Sequence, residues 1–214
     1  MGFNNLIFFA TRIIKEVKIP ASVVKICKNA FLQCNKLEKV LFSVDSKLQI
    51  IDEFAFTHSG IKKIEFPSSL TQICNRAFLW CTRLQIVAFP NDSKIENIED
   101  SAFAFTPIKT ITIPKNVSHL HKGTFDNCYN LRKFEIPKDS KLQIIDEAFG
   151  SSSIESIFIP FHVKEIKEYA FACSKIKIVE IDYGTELKCI NVKAFHNCNP
   201  IIMIPKDSSL NLNL

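Results

Sequence analysis

Residues Leu70–Pro90 read LTQICNRAFLWCTRLQIVAFP. Two apolar residues, Leu70 and Ile73, stand seven and four positions before Ala77, and the pair Ala77-Phe78 follows. After a turn comes Leu84-Gln-Ile-Val-Ala-Phe89, with the template apolar-x-x-apolar-x-apolar. Its last four residues alternate with period 2 and are rich in β-branched and aromatic types, which predicts a strand with one buried face. Pro90 closes the stretch. Proline cannot donate to a ladder, so it belongs at a strand's exit.

The same stretch recurs along the chain. Ala-Phe returns at Ala30-Phe31, Ala55-Phe56, Ala102-Phe103, Ala148-Phe149, Ala170-Phe171 and Ala194-Phe195, while Thr124-Phe125 and Phe8-Phe9 fill two further slots. From Phe9 onward the anchors are spaced 22, 25, 22, 25, 22, 24, 22 and 24 residues apart. Nine copies therefore alternate between a short and a long connection. The hexamer recurs too, for example at Leu37–Phe42, Ile61–Phe66, Ile108–Ile113, Leu131–Ile136, Ile154–Ile159 and Ile176–Ile181. The apolar pair ahead of the corner recurs as Val23/Ile26, Leu48/Ile51, Ile95/Ile98 and their equivalents.

A unit this short cannot bury its own apolar face. Stacking copies does so, which gives a solenoid in which each coil touches only its neighbours. The linkers alternate with the spacing. Asp45-Ser46-Lys47, Asp92-Ser93-Lys94 and Asp139-Ser140-Lys141 serve the long connection, and shorter Pro-led links such as Pro20–Val23 and Pro67–Leu70 serve the other. No composition shift marks a domain boundary, so residues 1–214 are expected to form one domain, truncated within a repeat at both ends.

The template, carried for instance by Ile26, Ala30, Phe31, Cys34, Leu37, Val40 and Phe42, resembles that of the BspA-like leucine-rich repeat family over residues 8–210. Thr124 and Asn199 depart from it. The resemblance implies a right-handed leucine-rich-repeat solenoid, β-dominant, with about nine coils, a long parallel sheet and little helix. It also implies a non-catalytic recognition or adhesion module of surface-antigen type that binds a host or partner protein. An intracellular scaffold or adaptor is the alternative. The resemblance points to the cell surface, whereas the lack of a readable signal peptide and anchor points to the cytoplasm.

Composition narrows the classes. Hydrophobic residues make up 47% and charged residues 23%, with a net charge of +5 whose members are scattered. That suits a globular protein and indicates no nucleic-acid partner. No run reaches the roughly 18–20 apolar residues of a transmembrane segment. The 5 glycines are too few for phosphate loops, while nine of the 19 phenylalanines are the anchors.

Candidate chemistry is sparse, and the reading names no catalytic residue, metal or cofactor. Cys34, Cys81, Cys128 and Cys198 share one turn column with Ser59, Thr106, Ser152 and Ser174, which predicts buried structural thiols. Cys173 and Cys198 lie in adjacent coils and are the one pair able to bridge. His119-x-His121 could face one ligand, but no third ligand is placed beside it. Asp52-Glu53, Glu99-Asp100 and Asp146-Glu147 recur at one repeat phase, which reads as a solvated turn.

The outward face of the strands is the surface left for binding. Template positions three and five form two columns. The first reads Glu16, Lys39, Lys63, Ile86, Thr110, Lys133, Ser156, Ile178 and Ile201, the second Lys18, Leu41, Glu65, Ala88, Thr112, Glu135, Phe158, Glu180 and Met203. Toward the C-terminus they turn apolar, so Phe158, Ile178, Glu180, Ile201 and Met203 are the candidate partner-binding residues for a protein ligand. The alternatives are a plain solvated sheet and a patch covered by a further repeat or loop. Uncapped coils would in addition expose strand edges, which predicts end-to-end self-association.

Overall fold

The computed structural model describes residues 5–6 and 13–206; the Phe8-Phe9 slot and residues 207–214 lie outside them. Eighteen short strands are formed among the described residues. They begin with β1 (Asn5–Leu6), β2 (Glu16–Ile19), β3 (Lys25–Ile26), β4 (Lys39–Phe42), β5 (Ile50–Ile51) and β6 (Lys63–Glu65). The middle of the chain gives β7 (Gln72–Ile73), β8 (Ile86–Ala88), β9 (Asn97–Ile98), β10 (Thr110–Thr112), β11 (His119–Leu120) and β12 (Lys133–Glu135). The last are β13 (Ile144–Ile145), β14 (Ser156–Ile159), β15 (Glu165–Ile166), β16 (Ile178–Ile181), β17 (Cys189–Ile190) and β18 (Ile201–Met203). No helix occurs among the described residues. Even-numbered strands stack along one edge of the solenoid and odd-numbered strands along the other, and every pairing is parallel.

The alternation sets burial as the hexamer template requires. In β14, Ile157 and Ile159 are buried while Ser156 and Phe158 face outward. The anchors fill the interior. Phe31, Phe56, Phe78, Phe103, Phe125, Phe149 and Phe171 are fully buried and Phe195 nearly so. Their rings form one continuous stack, with successive centroids 4.9–5.8 Å apart and planes within 14° of parallel. Each buried Phe contributes about 1.5–3 kcal/mol through area removed from water. The 22–25-residue spacing thus brings every ring into contact with its counterparts one coil away.

The Ala-Phe corner forms a third hydrogen-bonded column. At every described corner but the last, two residues take the left-handed conformation, one just before the Ala or its equivalent and one two after the Phe. Examples are Asn29 (φ 63) and Gln33 (φ 59), and Arg76 (φ 56) and Trp80 (φ 57). Successive β-turns result, closed by Ala77 N–H to Cys74 O, Leu79 N–H to Arg76 O and Cys81 N–H to Phe78 O. The intervening N–H groups point along the solenoid axis. Arg76, Phe78 and Trp80 donate to the carbonyls of Asp100, Ala102 and Ala104 in the next coil, and the same three-bond pattern recurs at most other corners. At the strand edges many of these bonds run the other way: Gln85 and Gln49 donate back to Lys62 and Val24 of the preceding coil, although Phe66 and Ile113 donate forward to Ala88 and Glu135. Gly60 marks a close approach, since a Cβ there would lie 2.1 Å from the Asn35 carbonyl oxygen.

The alternating linkers divide the stack into pairs of coils. A short exit separates Ile19 from Val23, Phe66 from Leu70, Ile113 from Val117 and Ile159 from Val163. A long exit separates Phe42 from Leu48, Phe89 from Ile95, Ile136 from Leu142 and Ile181 from Leu187. Each long linker lies back on the short linker before it: Lys47 donates to Ala21 O, Lys94 to Ser68 O, Lys141 to Lys115 O and Glu186 to Phe161 O, at 2.6–3.3 Å. Ser46, Ser93 and Ser140 hold the long linkers in shape by accepting the N–H two residues on, from Leu48, Ile95 and Leu142.

Ladders on the even edge follow this pairing. They are complete inside each pair of coils: β2 with β4, β6 with β8, β10 with β12 and β14 with β16. Between pairs, β4 meets β6 only at Lys39↔Lys63, and no ladder joins β8 to β10 or β12 to β14. The seam between β16 and β18 is the exception and keeps three residue pairs. The expected long parallel sheet is therefore present as stacked segments. At the interrupted seams the strand exits have no long linker folded back to tie them together.

Candidate recognition surface

The register confirms the two outward columns. Glu16, Lys39, Lys63 and Ile86 lie side by side, as do Ser156, Ile178 and Ile201; in the second column Phe158, Glu180 and Met203 are neighbours. In the N-terminal two-thirds of the face the charges neutralise one another. Lys63 pairs with Glu65 at 2.7 Å, Lys133 with Glu135 at 2.6 Å, and Lys39 with Glu16 at 3.7 Å. The hydrogen bond from Lys133, helped by one from Thr112, holds the Glu135 carboxyl below the usual carboxylate range. Exposed pairs of this kind contribute little stability, but they leave a surface with no dominant sign.

The C-terminal part differs. Phe158 is 38% exposed, Ile178 41%, Ile201 69% and Met203 53%, from three successive strands, with Glu180 the one charged residue of the two columns among them. Pairing puts Ile178 and Glu180 between Ser156 and Ile201 and between Phe158 and Met203 respectively. Glu180 is exposed and makes no ion pair among the described residues, because the place held by Lys63 or Lys133 beside the other glutamates is Ile178 here. The outward placement of Phe158 also fixes the strand phase, since a slip of one residue would bury it.

A second opening on this face was not legible in the sequence. Where β4 and β6 lose their ladder, the seam widens into a hollow of about 600 Å³ lined by Leu41, Phe42, Val44 and Phe66 with a rim of Lys and Glu. Its signal in the sequence was the alternation of linker length, which sets where the ladder stops.

The other candidate groups are structural. None of the eight cysteines forms a disulfide. The Cys81 sulfur lies 3.3 Å from Ser59 Oγ and 3.0 Å from the Phe56 carbonyl oxygen, and burial pushes its thiol up to about 12. Cys128 repeats this against Thr106 and Phe103, with its thiol likewise pushed up to about 12. Cys173 and Cys198 do not bridge, since they occupy different columns. Cys173 sits at the left-handed position, accepting from Asn197 Nδ2 at 3.5 Å, and Cys198 lies in the turn column beside Ser174.

The His119 and His121 rings stack at 4.1 Å, and each faces a carboxylate, Asp146 at 3.6 Å and Asp100 at 3.8 Å. Burial and the neighbouring His121 hold His119 below the usual histidine range. No group of three ligands able to hold a metal occurs among the described residues. The recurrent carboxylates, expected as solvated turns, do more: Asp52 pairs with Lys25, Glu53 with Lys28, Asp146 with Lys167 and Glu147 with Lys122, each between adjacent coils. No helix among the described residues is long and apolar enough to cross a membrane.

Comparisons agree with this architecture. No curated protein matches the chain. Among solved structures, the pneumococcal vaccine antigen PcpA superposes with a TM-score of 0.64 at 26% identity, over 80% of this chain and 46% of that one. A leucine-rich repeat protein from Bacteroides ovatus gives 0.60 at 23% identity, over 82% and 54%. A leucine rich cell surface protein from Faecalibacterium prausnitzii gives 0.54 at 21% identity, over 89% and 61%. The chain thus spans about half the length of the first two. The BspA type leucine rich repeat region matches in six copies, over residues 3–132 and 96–211. With corner, strand and linker all in the register that such repeats demand, the chain belongs to the BspA-type leucine-rich repeat family.

Proposed function

We propose that this chain is the recognition module of a surface-displayed protein and that it binds a protein partner through the C-terminal part of its strand face, without catalysis. The observation that carries the reading is the contiguous group Phe158, Ile178, Ile201 and Met203, exposed around an unpaired Glu180. Grouped apolar exposure on a soluble repeat protein marks an interaction site, and an aromatic residue with a directed charge beside it is the usual composition of a binding hot spot. Family membership and the likeness to the antigen PcpA support a recognition role for the scaffold.

The test is a binding measurement on partners captured from intact cells or extracellular matrix. Phe158→Ala should weaken binding by roughly 2 kcal/mol or more and leave the melting temperature nearly unchanged, because the ring lies outside the core. Unchanged affinity would remove the patch from the reading. Surface biotinylation of intact cells tests display: labelling of the chain only after lysis would favour an internal scaffold instead.

A further inference from the structure

A second site lies away from the strand face, on the corner column. The residue two after each anchor Phe is left-handed, and Asn, Ser, Gln and Cys occupy several of these places: Gln33, Asn127, Ser151, Cys173 and Asn197. Small polar residues suit that conformation, whereas bulky ones are rare there. Two adjacent coils nevertheless carry Trp80 (φ 57) and Phe105 (φ 59). Their rings stack at 4.1 Å with planes 8° apart, and His58 continues the stack 6.0 Å beyond Trp80. No ring covers the opposite face of Phe105 among the described residues, because the next coil supplies Asn127 in that place.

The turn residues two positions further on complete the site. Thr82, Pro107 and Tyr129 occupy equivalent places in three successive coils, and Tyr129 is largely exposed. Together with Trp80, Phe105, Asn127 and Asn130 they line a hollow of about 240 Å³. No charged side chain lines it, whereas the other four hollows described each include lysine, glutamate or aspartate. Its polar groups are neutral and unspent. Tyr129 Oη donates to Asn127 Oδ1 at 2.6 Å, which leaves the Asn127 amide N–H groups to donate outward. The side chains of Asn130 and Thr82 make no hydrogen bond among the described residues.

We propose that this hollow binds a neutral sugar ring, a hexopyranose at a chain end or within a neutral glycan. The apolar C–H face of such a ring stacks on an aromatic face, here Phe105 flanked by Tyr129 and Trp80. Its hydroxyls both donate and accept, which matches amides and a threonine hydroxyl and gives charged groups no role. The volume suits one ring rather than an extended chain. An apolar peptide segment would leave the Asn127 and Asn130 amides unpaired on binding, at a cost in affinity.

Trp80 is the only tryptophan in the chain, so its fluorescence reports on this site alone. The probes are glucose, galactose, mannose, N-acetylglucosamine, N-acetylgalactosamine and their neutral disaccharides, with deca-proline as the peptide control. At least one sugar should shift Trp80 emission saturably below about 10 mM, the range expected of a single shallow ring site. The affinity should change less than about twofold between low and high salt, since no charge takes part.

Asn130→Ala should weaken binding several-fold, and Phe105→Asn by roughly tenfold or more. Asn already serves at this place in two other coils, so the second variant should fold, as circular dichroism and thermal melting will verify. The proposal is overturned if no sugar of the panel shifts the emission, if deca-proline alone binds, or if folded Phe105→Asn binds sugar as tightly as the wild type.

Discussion

The seam between β6 and β8 and the seam between β8 and β10 join coils of nearly the same sequence, yet only the first carries a ladder. In the interior nothing distinguishes them. Phe56 to Phe78, the corners that lead into β6 and β8, and Phe78 to Phe103, the corners that lead into β8 and β10, are 5.1 and 5.2 Å apart. The difference is confined to the strand exits, where Lys94 N–H ties a long linker to Ser68 of the preceding coil and no such tie crosses to the next. Packing of the core and pairing of the edge are therefore separable in this solenoid. The core column is uniform and sets the stacking, while, at every seam but that of β16 and β18, the edge closes where a long linker folds back and is interrupted where none does.

The strongest way to break that separation is through the core. Phe78→Ala and Phe103→Ala should each cost about 3–5 kcal/mol in denaturant unfolding, with no dependence on the type of seam. A cost below about 1 kcal/mol at either would show that the Phe column does not carry the stack. Next comes the linker tie. Lys47→Pro removes the N–H that donates to Ala21 and should cost about 1–3 kcal/mol, whereas Lys47→Ala should stay within about 0.5 kcal/mol. Equal effects would mean the tie contributes nothing.

Hydrogen exchange sharpens the contrast without mutation. The Ile86 and Lys133 amides donate across closed seams to Lys62 and Lys109. Thr110 and Ser156 hold the equivalent places at open seams and have no such partner among the described residues. Their amides should exchange at least roughly tenfold faster; similar protection would mean the open seams are closed in solution.

The smallest expected effect concerns Asp126, which links two successive corners by accepting the Gly150 N–H at 2.8 Å. Burial pushes its carboxyl up to about 6, with the charge of Glu147 adding to the shift. The folded state thus holds this proton more tightly than the unfolded state, whose carboxyl has its ordinary value near 3.8. Stability should rise as pH falls from about 6 toward 4, by roughly 1 kcal/mol after allowance for partial solvation. Protonation of His119, disfavoured by its burial, acts in the opposite sense below its ordinary value. Comparison with Asp126→Asn isolates the carboxyl: the variant should lack that gain, and identical pH profiles would refute it.

Much of this was legible in the sequence because the repeat is regular. The anchors, the apolar pairs and the outward columns follow from counting, and Phe158 lies where period 2 puts it. The linker alternation was visible as 22 against 24 or 25 residues, but its effect on pairing was not, since that depends on which neighbour a long linker folds back upon. Propensity gave no hint that Phe54, Trp80, Phe105 and Tyr169 adopt positive φ, because stacked turns impose that conformation whatever residue occupies the place. The Trp80 hollow was hidden because its walls come from three coils. Its one readable trace was His58, Trp80 and Phe105, each two residues after an anchor.

The opposed directions of the corner and edge hydrogen bonds have an electrical consequence. In an α-helix every peptide dipole points one way, and the ends acquire about half a charge each. Here the amides of Arg76, Phe78 and Trp80 point toward later coils while those of Gln49 and Gln85 point toward earlier ones. The two sets oppose one another along the same axis. Each added coil therefore contributes less net dipole than the same number of residues would in a helix, where every amide adds in one sense.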